Sequence, residues 1–455
     1  MSEEQISAAL AAARPASAIQ AFQPDKKLAE QRSLAVDDIV EALNFDHALV
    51  LTGGRAAVLF ETFDAIGRPK VELMSIDAFK QYYGNRHVTV GKKQVSIAEV
   101  WLDHPSRRSF QGIVFAPGEA PEGYYNTWRG FDVDPAPGDW SLFRDHLFAN
   151  VCGGDQRHFN YIFGWFADLV QNPTRKHGTA LVLRGKQGVG KTKVGEVFGS
   201  LFSSHYCLVD SPHLLTGAFN GHMEATLLMQ VEEGFWAGDK EAEGRLKSLI
   251  TGGEQLIERK FQDAYKGRNL VRLLITSNAE WVVPAGMDER RFAVFDVGTA
   301  AQQNREYFKG IQQQLDCGGR AGLLHDLLTF DLSKVDIRHI PRTPALDEQV
   351  IASFNPMQAW WFECLSAGSL VVDGAAWPTR MECHDLFKAF MEFGKVTNIN
   401  PRSVQTRLGM ELKRMCPGMR KRATTRPHAY ELPDLEACRG AFDAYVGWDY
   451  EWDSG

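Results

Sequence analysis

The sequence predicts an α/β protein built around a P-loop core with a parallel sheet, and three observations lead to this fold class. The stretch LVLRGKQGVGKTKVGEVF, residues 181–198, places a phosphate-loop motif between an apolar run typical of a strand and the start of a helix. From there to about residue 300, strand-like and helix-like segments alternate, as in a parallel sheet with crossover helices. A mixed α/β and helical region precedes the motif, and a winged-helix-like domain of about 100 residues that contains a basic stretch follows the P-loop region.

The composition is that of an ordinary soluble globular protein, with 44% hydrophobic and 24% charged residues among 455. With a net charge of −7, the surface as a whole repels nucleic acid, so any DNA site must be a local concentration of Lys and Arg. The seven cysteines are scattered without metal-site spacing, which indicates reduced thiols in a cytoplasmic compartment. No apolar run approaches the ~18 residues that span a bilayer, so no membrane partner is expected.

Three segments are predicted before the P-loop. Residues 1–45 are polar and Ala-rich and are expected to form a flexible or helical arm, because they lack the basic-then-apolar order of a signal peptide. Residues 46–135 are predicted to be a mixed α/β domain that opens with a β-hairpin around Gly53-Gly54. Residues 136–175 show helical spacing, as in FNYIFGWFADLVQNP, and predict a helical collar whose aromatic stripe belongs to the core.

The phosphate loop supplies the chemistry for holding a nucleotide. Its glycines allow backbone N–H groups to surround phosphate oxygens at a helix N-terminus. Lys191 can reach the β- and γ-phosphates, and the hydroxyl of Thr192 can hold Mg²⁺. The predicted nucleotide-binding residues are the whole loop: Gly185, Lys186, Gln187, Gly188, Val189, Gly190, Lys191 and Thr192.

Three features downstream narrow the class of P-loop protein. The strand-like run TLLMQVEEGF ends in Glu232-Glu233, where one carboxylate can hold Mg²⁺ and the other can polarise the attacking water. The apolar strand LVRLLITSNAEW ends at Asn278, whose amide can bond the γ-phosphate and that water. Arg290-Arg291 can make bidentate phosphate contacts at a neighbouring subunit's nucleotide. Taken singly, these features also fit a solvated strand edge, a strand-ending turn and a surface turn.

In this order and spacing, the P-loop, the acidic pair, the Asn-tipped strand and the Arg pair resemble the superfamily 3 helicases, a branch of the AAA+ ATPases of viruses, phages and plasmids. The stretch RLKSLITGGEQLIERKF matches that family's further motif through Lys247, Leu249, Gly253 and Lys260. With YNTWRGF, DERRF and PRTPALDEQ, residues 110–445 look like the helicase part of phage primase-helicase proteins.

The resemblance implies an AAA+ domain over residues 176–335 that uses ATP and Mg²⁺. It implies metal ligands at Thr192 and Glu232, and catalytic residues Lys191, Glu232, Glu233, Asn278, Arg290 and Arg291. It also implies a hexameric ring with ATP at each subunit boundary, acting on single-stranded or forked DNA in the cytoplasm of a bacterial host. Residues 1–110 lie outside the resemblance and look too short for a primase, so a separate primase or polymerase is an expected partner.

Two basic segments are predicted to contact DNA. The stretch ERKFQDAYKGRN corresponds to the pore hairpin of that family, with Lys266-Gly267 at the expected turn and with Lys260 and Arg268 on its flanks. An exposed turn with solvated lysines is the alternative. The last domain, residues 345–455, resembles a winged helix in its order of helix, Gly-Met, charged run and AYELP. Its predicted DNA contacts are Arg407, Lys413, Arg414, Arg420, Lys421 and Arg422.

The leading hypothesis is therefore an ATP-dependent replicative DNA helicase of a phage or mobile element. One alternative is an origin-binding initiator in which ATP only assembles the ring, although Glu233 would then have no role. A small-molecule kinase is a further alternative, but it lacks an acceptor-pocket motif and leaves the Asn strand and the arginine pair unexplained.

Overall fold

The chain forms two compact units. The structure, a computed structural model, describes residues 36–65, 67, 69–210, 215, 217, 220–232, 240–258, 264–370, 376–393, 401–422 and 426–452. The first unit runs to residue 282 and also includes 290–345, and the second comprises 283–289 and 346–455. Among the helices of the described residues, none is both long and apolar enough to cross a membrane.

The first unit opens with a small mixed α/β region. Its elements are α1 (Val36–Asp46), β1 (His47–Thr52), β2 (Arg55–Phe63), β3 (Pro69–Ser75), α2 (Ile76–Tyr82), β4 (His87–Val90), β5 (Lys93–Ser96), α3 (Ile97–Asp103), β6 (Ser109–Phe110), β7 (Gly112–Val114) and β8 (Tyr124–Asn126). Four strands form a sheet in the order β3-β2-β1-β6. The antiparallel pair β1 and β2 joins through Gly53 and Gly54, as predicted.

Helix α1 belongs to the core of this region rather than to an arm. Its residues Ile39, Val40 and Leu43 pack with Phe79 and Trp101 in one buried cluster. The folded region therefore includes residues 36–45, which were predicted to belong to the arm, because these apolar side chains repeat at helical spacing and cover the sheet. Residues 1–35 of the predicted arm lie outside the described residues.

The collar consists of α4 (Ser141–Asp145), a π-helical turn (His146–Val151) and α5 (Gln156–Gln171). Its aromatic stripe is core, as predicted. Phe166 of α5 stacks on Phe198, with their ring centroids 3.5 Å apart, and Trp165 is fully buried beside it. Burying aromatic side chains of this size is a large source of stability, so the collar is fixed to the helix that follows the P-loop.

The P-loop region is built on a five-stranded parallel sheet. Its elements are β9 (Ala180–Arg184), α6 (Lys191–Gly199), β10 (Tyr206–Val209), β11 (Leu228–Glu232), α7 (Lys240–Thr251), β12 (Glu254–Ile257), β13 (Tyr265–Arg268), β14 (Arg272–Ser277), β15 (Phe292–Asp296), α8 (Arg305–Gln314), a π-helical turn (Leu315–Gly319) and α9 (Arg320–Thr329). The sheet order is β10-β11-β14-β9-β15, with every neighbouring pair parallel. The P-loop strand β9 thus lies between two strands that come much later in the chain.

The second unit is helical with a small antiparallel sheet. Its elements are α10 (Pro344–Ala352), which begins at the boundary between the units, α11 (Pro356–Ala367), β16 (Arg380–Glu382), α12 (Cys383–Phe393), α13 (Pro401–Met415), β17 (Arg420–Arg422), β18 (Ala429–Glu431) and α14 (Leu435–Val446). The strand order is β16-β18-β17. Trp360, Trp361, Leu412 and Phe442 are buried in its core.

Candidate nucleotide-binding site

The loop after β9 has the backbone shape of a phosphate cradle. All five residues of β9 are buried, and helix α6 begins at Lys191 directly after the loop. Gly190 has φ of +96°, and a Cβ at this position would lie 2.6 Å from the ring of Phe308. Gly185 is equally constrained, since its added Cβ would lie 2.9 Å from the carbonyl oxygen of Val297. Only glycine fits at these two positions.

Lys191 points into the loop that it closes. Its side chain is buried, and its Nζ donates to the carbonyl oxygens of Gly185 at 2.6 Å and Lys186 at 2.8 Å. A third hydrogen bond runs from Nζ to Oδ1 of Asn278 at 2.7 Å. The ammonium group therefore lies between the P-loop and the end of β14, where phosphate oxygens would meet it.

Thr192 and Glu232 meet on the same side of the loop. The Thr192 hydroxyl donates a short hydrogen bond to Oε1 of Glu232, the last residue of β11. A hydroxyl and a carboxylate are both oxygen ligands of the kind that Mg²⁺ prefers, so the pair fits a nucleotide-bound magnesium ion. Glu233 lies outside the described residues.

The sheet explains why residues so far apart in sequence meet here. Arg184 at the end of β9 pairs with Ser277 of β14, and Thr276 pairs with Glu232 of β11. The carboxyl ends of these three neighbouring strands are therefore level. Open α/β sheets bind ligands at this edge, where the chain leaves adjacent strands in different directions.

The two arginines lie at the opposite edge of the same sheet. Arg291 directly precedes β15, and its carbonyl oxygen accepts a hydrogen bond from the N–H of Ala180, the first residue of β9, at 2.7 Å. Arg290 is exposed and Arg291 is partly buried. At ~3.3 Å per strand residue, about 15 Å of β9 separates them from the P-loop. The structure does not bring the arginines to the P-loop of their own chain.

The predicted hairpin is present, but its turn was predicted at the wrong position. Lys266 and Gly267 lie within β13, where they pair with Leu256 and Gln255 of β12. The turn therefore does not lie at Lys266-Gly267, because the ladder of paired residues occupies that position. Lys260 is outside the described residues. Lys266 and Arg268 are exposed, and Arg268 also donates to the carbonyl oxygen of Thr174 at 3.2 Å.

The basic residues of the second unit lie on the surface. Arg414 pairs with Glu411 at 3.0 Å, and Arg422 pairs with Glu431 at 2.5 Å, so two of the six charges are locally balanced. Lys421 lies over the ring of Tyr430, at 5.8 Å from its centroid. Helix α13 and strand β17 expose all six predicted DNA contacts: Arg407, Lys413, Arg414, Arg420, Lys421 and Arg422.

One contact with the P-loop was not predicted. His146, in the π-helical turn of the collar, is fully buried, and an added Cβ on Gly190 would lie 2.8 Å from its ring. The hydroxyl of Tyr307 lies 3.3 Å from Nδ1 of His146. Burial lowers the pKa of His146 to about 4, so the imidazole is neutral near pH 7. The helical spacing of the collar predicts that residue 146 is buried, but it does not predict that this residue lies against the P-loop.

Comparison with known proteins gives partial matches. Residues 183–291 match the model of a family of unknown function, DUF5906. Over 161 residues the chain is 25% identical to a DNA primase-polymerase of Nitratiruptor phage NrS-1, a match that covers 35% of this chain and 22% of that protein. The chain thus spans less than a quarter of that relative's length in the match.

Solved structures extend the similarity in fold. An apo structure of the NrS-1 C-terminal region matches with a TM-score of 0.59 at 15% identity, covering 89% of this chain and 99% of that chain. A second apo structure of that region has a TM-score of 0.59 at 16% identity, covering 88% and 100%. The chain is therefore an α/β protein that shares the fold of the NrS-1 C-terminal region and is related in sequence to a phage primase-polymerase.

Proposed function

We propose that this chain is an ATP-dependent DNA helicase of the AAA+ type that serves the replication of a phage or mobile element. The observation that carries the proposal is the convergence of Lys191, Thr192, Glu232 and Asn278 at the carboxyl ends of three adjacent parallel strands. The relation to a phage primase-polymerase supports a role in replication. The matched family segment, 183–291, contains these four residues and the arginine pair.

Each side chain has a defined task in ATP hydrolysis. Thr192 and Glu232 would hold Mg²⁺, which neutralises charge on the β- and γ-phosphates. Lys191 donates to phosphate oxygens with the same Nζ that bonds the loop carbonyls. Asn278 orients the attacking water, and Glu233, one residue beyond Glu232, accepts a proton from it.

Arg290 or Arg291 completes the site from the next subunit. Because both arginines lie at the sheet edge opposite the P-loop, they serve a neighbour's ATP rather than their own. A guanidinium at that position stabilises the charge that develops in phosphoryl transfer. A hexameric ring, the arrangement of the superfamily 3 helicases that the sequence resembles, places one arginine pair at each ATP site.

DNA is bound by local positive charge on a protein that is acidic overall. Lys266 and Arg268 on the β12–β13 hairpin, with the neighbouring Tyr265, suit backbone contact and stacking that do not depend on base sequence. The basic face of α13 and β17 offers a second contact with the phosphate backbone.

ATP hydrolysis and strand displacement on a forked DNA test this proposal together. We expect DNA to stimulate hydrolysis by the wild-type chain, and Lys191→Ala to abolish hydrolysis and displacement while the circular dichroism spectrum is unchanged. Lys193→Ala is the matched control, since Lys193 contacts Glu196 and Gln312 instead of the loop. Hydrolysis without displacement would favour the initiator, and hydrolysis retained by Lys191→Ala would rule out the P-loop assignment.

A further inference from the structure

Arg184, the last residue of the P-loop strand, makes a three-way contact at the edge of the ATP site. Its side chain is buried, and it donates to both carboxylate oxygens of Asp296, from Nε at 2.6 Å and from a terminal nitrogen at 2.7 Å. The other terminal nitrogen donates to the carbonyl oxygen of Glu280 at 2.9 Å. One guanidinium thus links the ends of β9 and β15 to the loop that follows β14.

The backbone of Arg184 is fixed by pairing with the strands on both sides. Arg184 pairs with Ser277 on one side and with Asp296 on the other. The N–H of Gly185 donates to the carbonyl oxygen of Ser277 at 3.2 Å, and Val297 donates to that of Arg184 at 2.7 Å. Because β9 is fixed between β14 and β15, the guanidinium contact with Glu280 sets where the chain runs after β14.

Asn278 lies in that stretch, between Ser277, which the backbone holds, and Glu280, which Arg184 holds. Its Oδ1 accepts a hydrogen bond from Nζ of Lys191 at 2.7 Å, and this distance depends on the position of residues 278–280. Small displacements of a reacting geometry are costly, with about 10²-fold in rate lost for 1 Å.

We propose that Arg184 is a positioning residue that holds Asn278 against the P-loop during ATP hydrolysis. The inference rests on the proposed ATPase function. Arginine suits the task because its planar fork can bond a carboxylate with two donors while a third reaches the carbonyl. Lysine has one nitrogen and cannot hold this geometry.

The test compares Arg184→Lys, Asn278→Ala and the double variant with the wild-type chain. We expect Arg184→Lys to lower kcat for ATP by about 10-fold to 100-fold while the Kd for a fluorescent ATP analogue changes less than about 3-fold. Because Arg184 acts through Asn278, the double variant should be no slower than Asn278→Ala alone. Asp296→Asn, which removes one of the two acceptor oxygens, should give a smaller loss in kcat of the same kind.

The outcomes separate this inference from the proposed function. A wild-type chain without ATPase activity would refute the proposed function and the inference with it. If the wild-type chain is active, two results would refute the inference alone. One is a double variant whose loss in kcat is the product of the losses in the two single variants, and the other is a loss of nucleotide binding in Arg184→Lys. Either result would show that Arg184 does not act through Asn278. Should Arg184→Lys fail to fold, Asp296→Asn combined with Asn278→Ala gives the same comparison.

Discussion

Asn278 connects the phosphate loop to the strand beside it. Its Oδ1 accepts a hydrogen bond from Nζ of Lys191, which also donates to two carbonyl oxygens of the loop. Removing Asn278 therefore leaves the hydrogen bonds from Lys191 to the loop carbonyls in place. The amide is exposed, so it is accessible to a γ-phosphate and a water molecule.

Asn278→Ala should bind ATP but hydrolyse it slowly. We expect turnover to fall by 10²-fold or more, about 2.7 kcal/mol of barrier, because the loop and Lys191 still hold the phosphates while the water loses its orienting amide. Equilibrium binding of an ATP analogue and steady-state hydrolysis measure the two quantities. Asn278→Asp is the matched variant, since it keeps an oxygen for Lys191 and loses the N–H donor. Loss of ATP binding in Asn278→Ala would mean that the residue is structural.

The difference between Lys191 and Arg184 shows what the sequence can predict. The P-loop is a local motif in which spacing fixes geometry, so its residues, strand and helix could all be placed from the sequence. Arg184 stands one residue before this motif, but its partner Asp296 is 112 positions away. The contact exists because β9 and β15 are neighbours in the sheet. Strand order depends on the packing of the whole domain, which no local pattern encodes.

The β12–β13 hairpin is anchored at its base to the end of helix α7. Nζ of Lys176 donates to the carbonyl oxygen of Leu249 at 2.6 Å, and the side-chain amide of Asn269 donates to the same oxygen at 2.8 Å and to Gly252 at 2.9 Å. These donors satisfy carbonyls that a helix leaves unpaired at its C-terminus. The hairpin therefore starts from a fixed base.

Lys176 should make stability depend on pH above neutrality. Burial, with a contribution from Arg272, lowers the pKa of Lys176 to about 7, against ~10.4 in an unfolded chain. Between these values the unfolded state holds a proton that the folded state has lost, so the free energy of unfolding rises with pH, by up to about 1.4 kcal/mol per unit. Below about pH 7 both states are charged and the slope vanishes.

Thermal unfolding of Lys176→Met and wild type between pH 6 and pH 10 measures this effect. The stability of the wild type relative to the variant should increase as the pH rises above 7. Lys193→Met, which removes a partly exposed lysine of α6, is the matched control for loss of a lysine side chain. Parallel curves for Lys176→Met would show that Lys176 keeps an ordinary pKa.

The residues of the proposed ATPase site lie at opposite edges of one sheet. The P-loop, Glu232 and Asn278 lie at the carboxyl edge, and Arg290 and Arg291 lie at the amino edge. In the proposed mechanism, neither group of residues is sufficient alone. Copies arranged head to tail would unite them, and closed rings are the form in which such contacts end without making a filament.

Mixing two inactive variants tests this arrangement. Arg290→Ala should bind ATP and hydrolyse it about 10³-fold more slowly, about 4 kcal/mol, and Lys191→Ala should not hydrolyse it at all. In a mixed ring, some boundaries join the intact P-loop of one protein to the intact arginine of the other, so activity should return on mixing. Arg291→Ala is tested in the same way, since either arginine can be the one that reaches across. If neither mixture regains activity, the arginines act within their own subunit or only in folding.

Strand β15 joins these two edges within five residues. In the proposed ring, the first residue of β15 directly follows the arginines that reach a neighbour's ATP. The last residue, Asp296, is bonded to Arg184 beside the P-loop of its own chain. All five residues of β15 pair with β9, which stiffens its extended backbone, so a shift at one end is passed to the other. ATP hydrolysis in one subunit would then depend on the state of its neighbour. Cooperativity between ATP sites, and an order of hydrolysis around the ring, would follow from the length of a single strand.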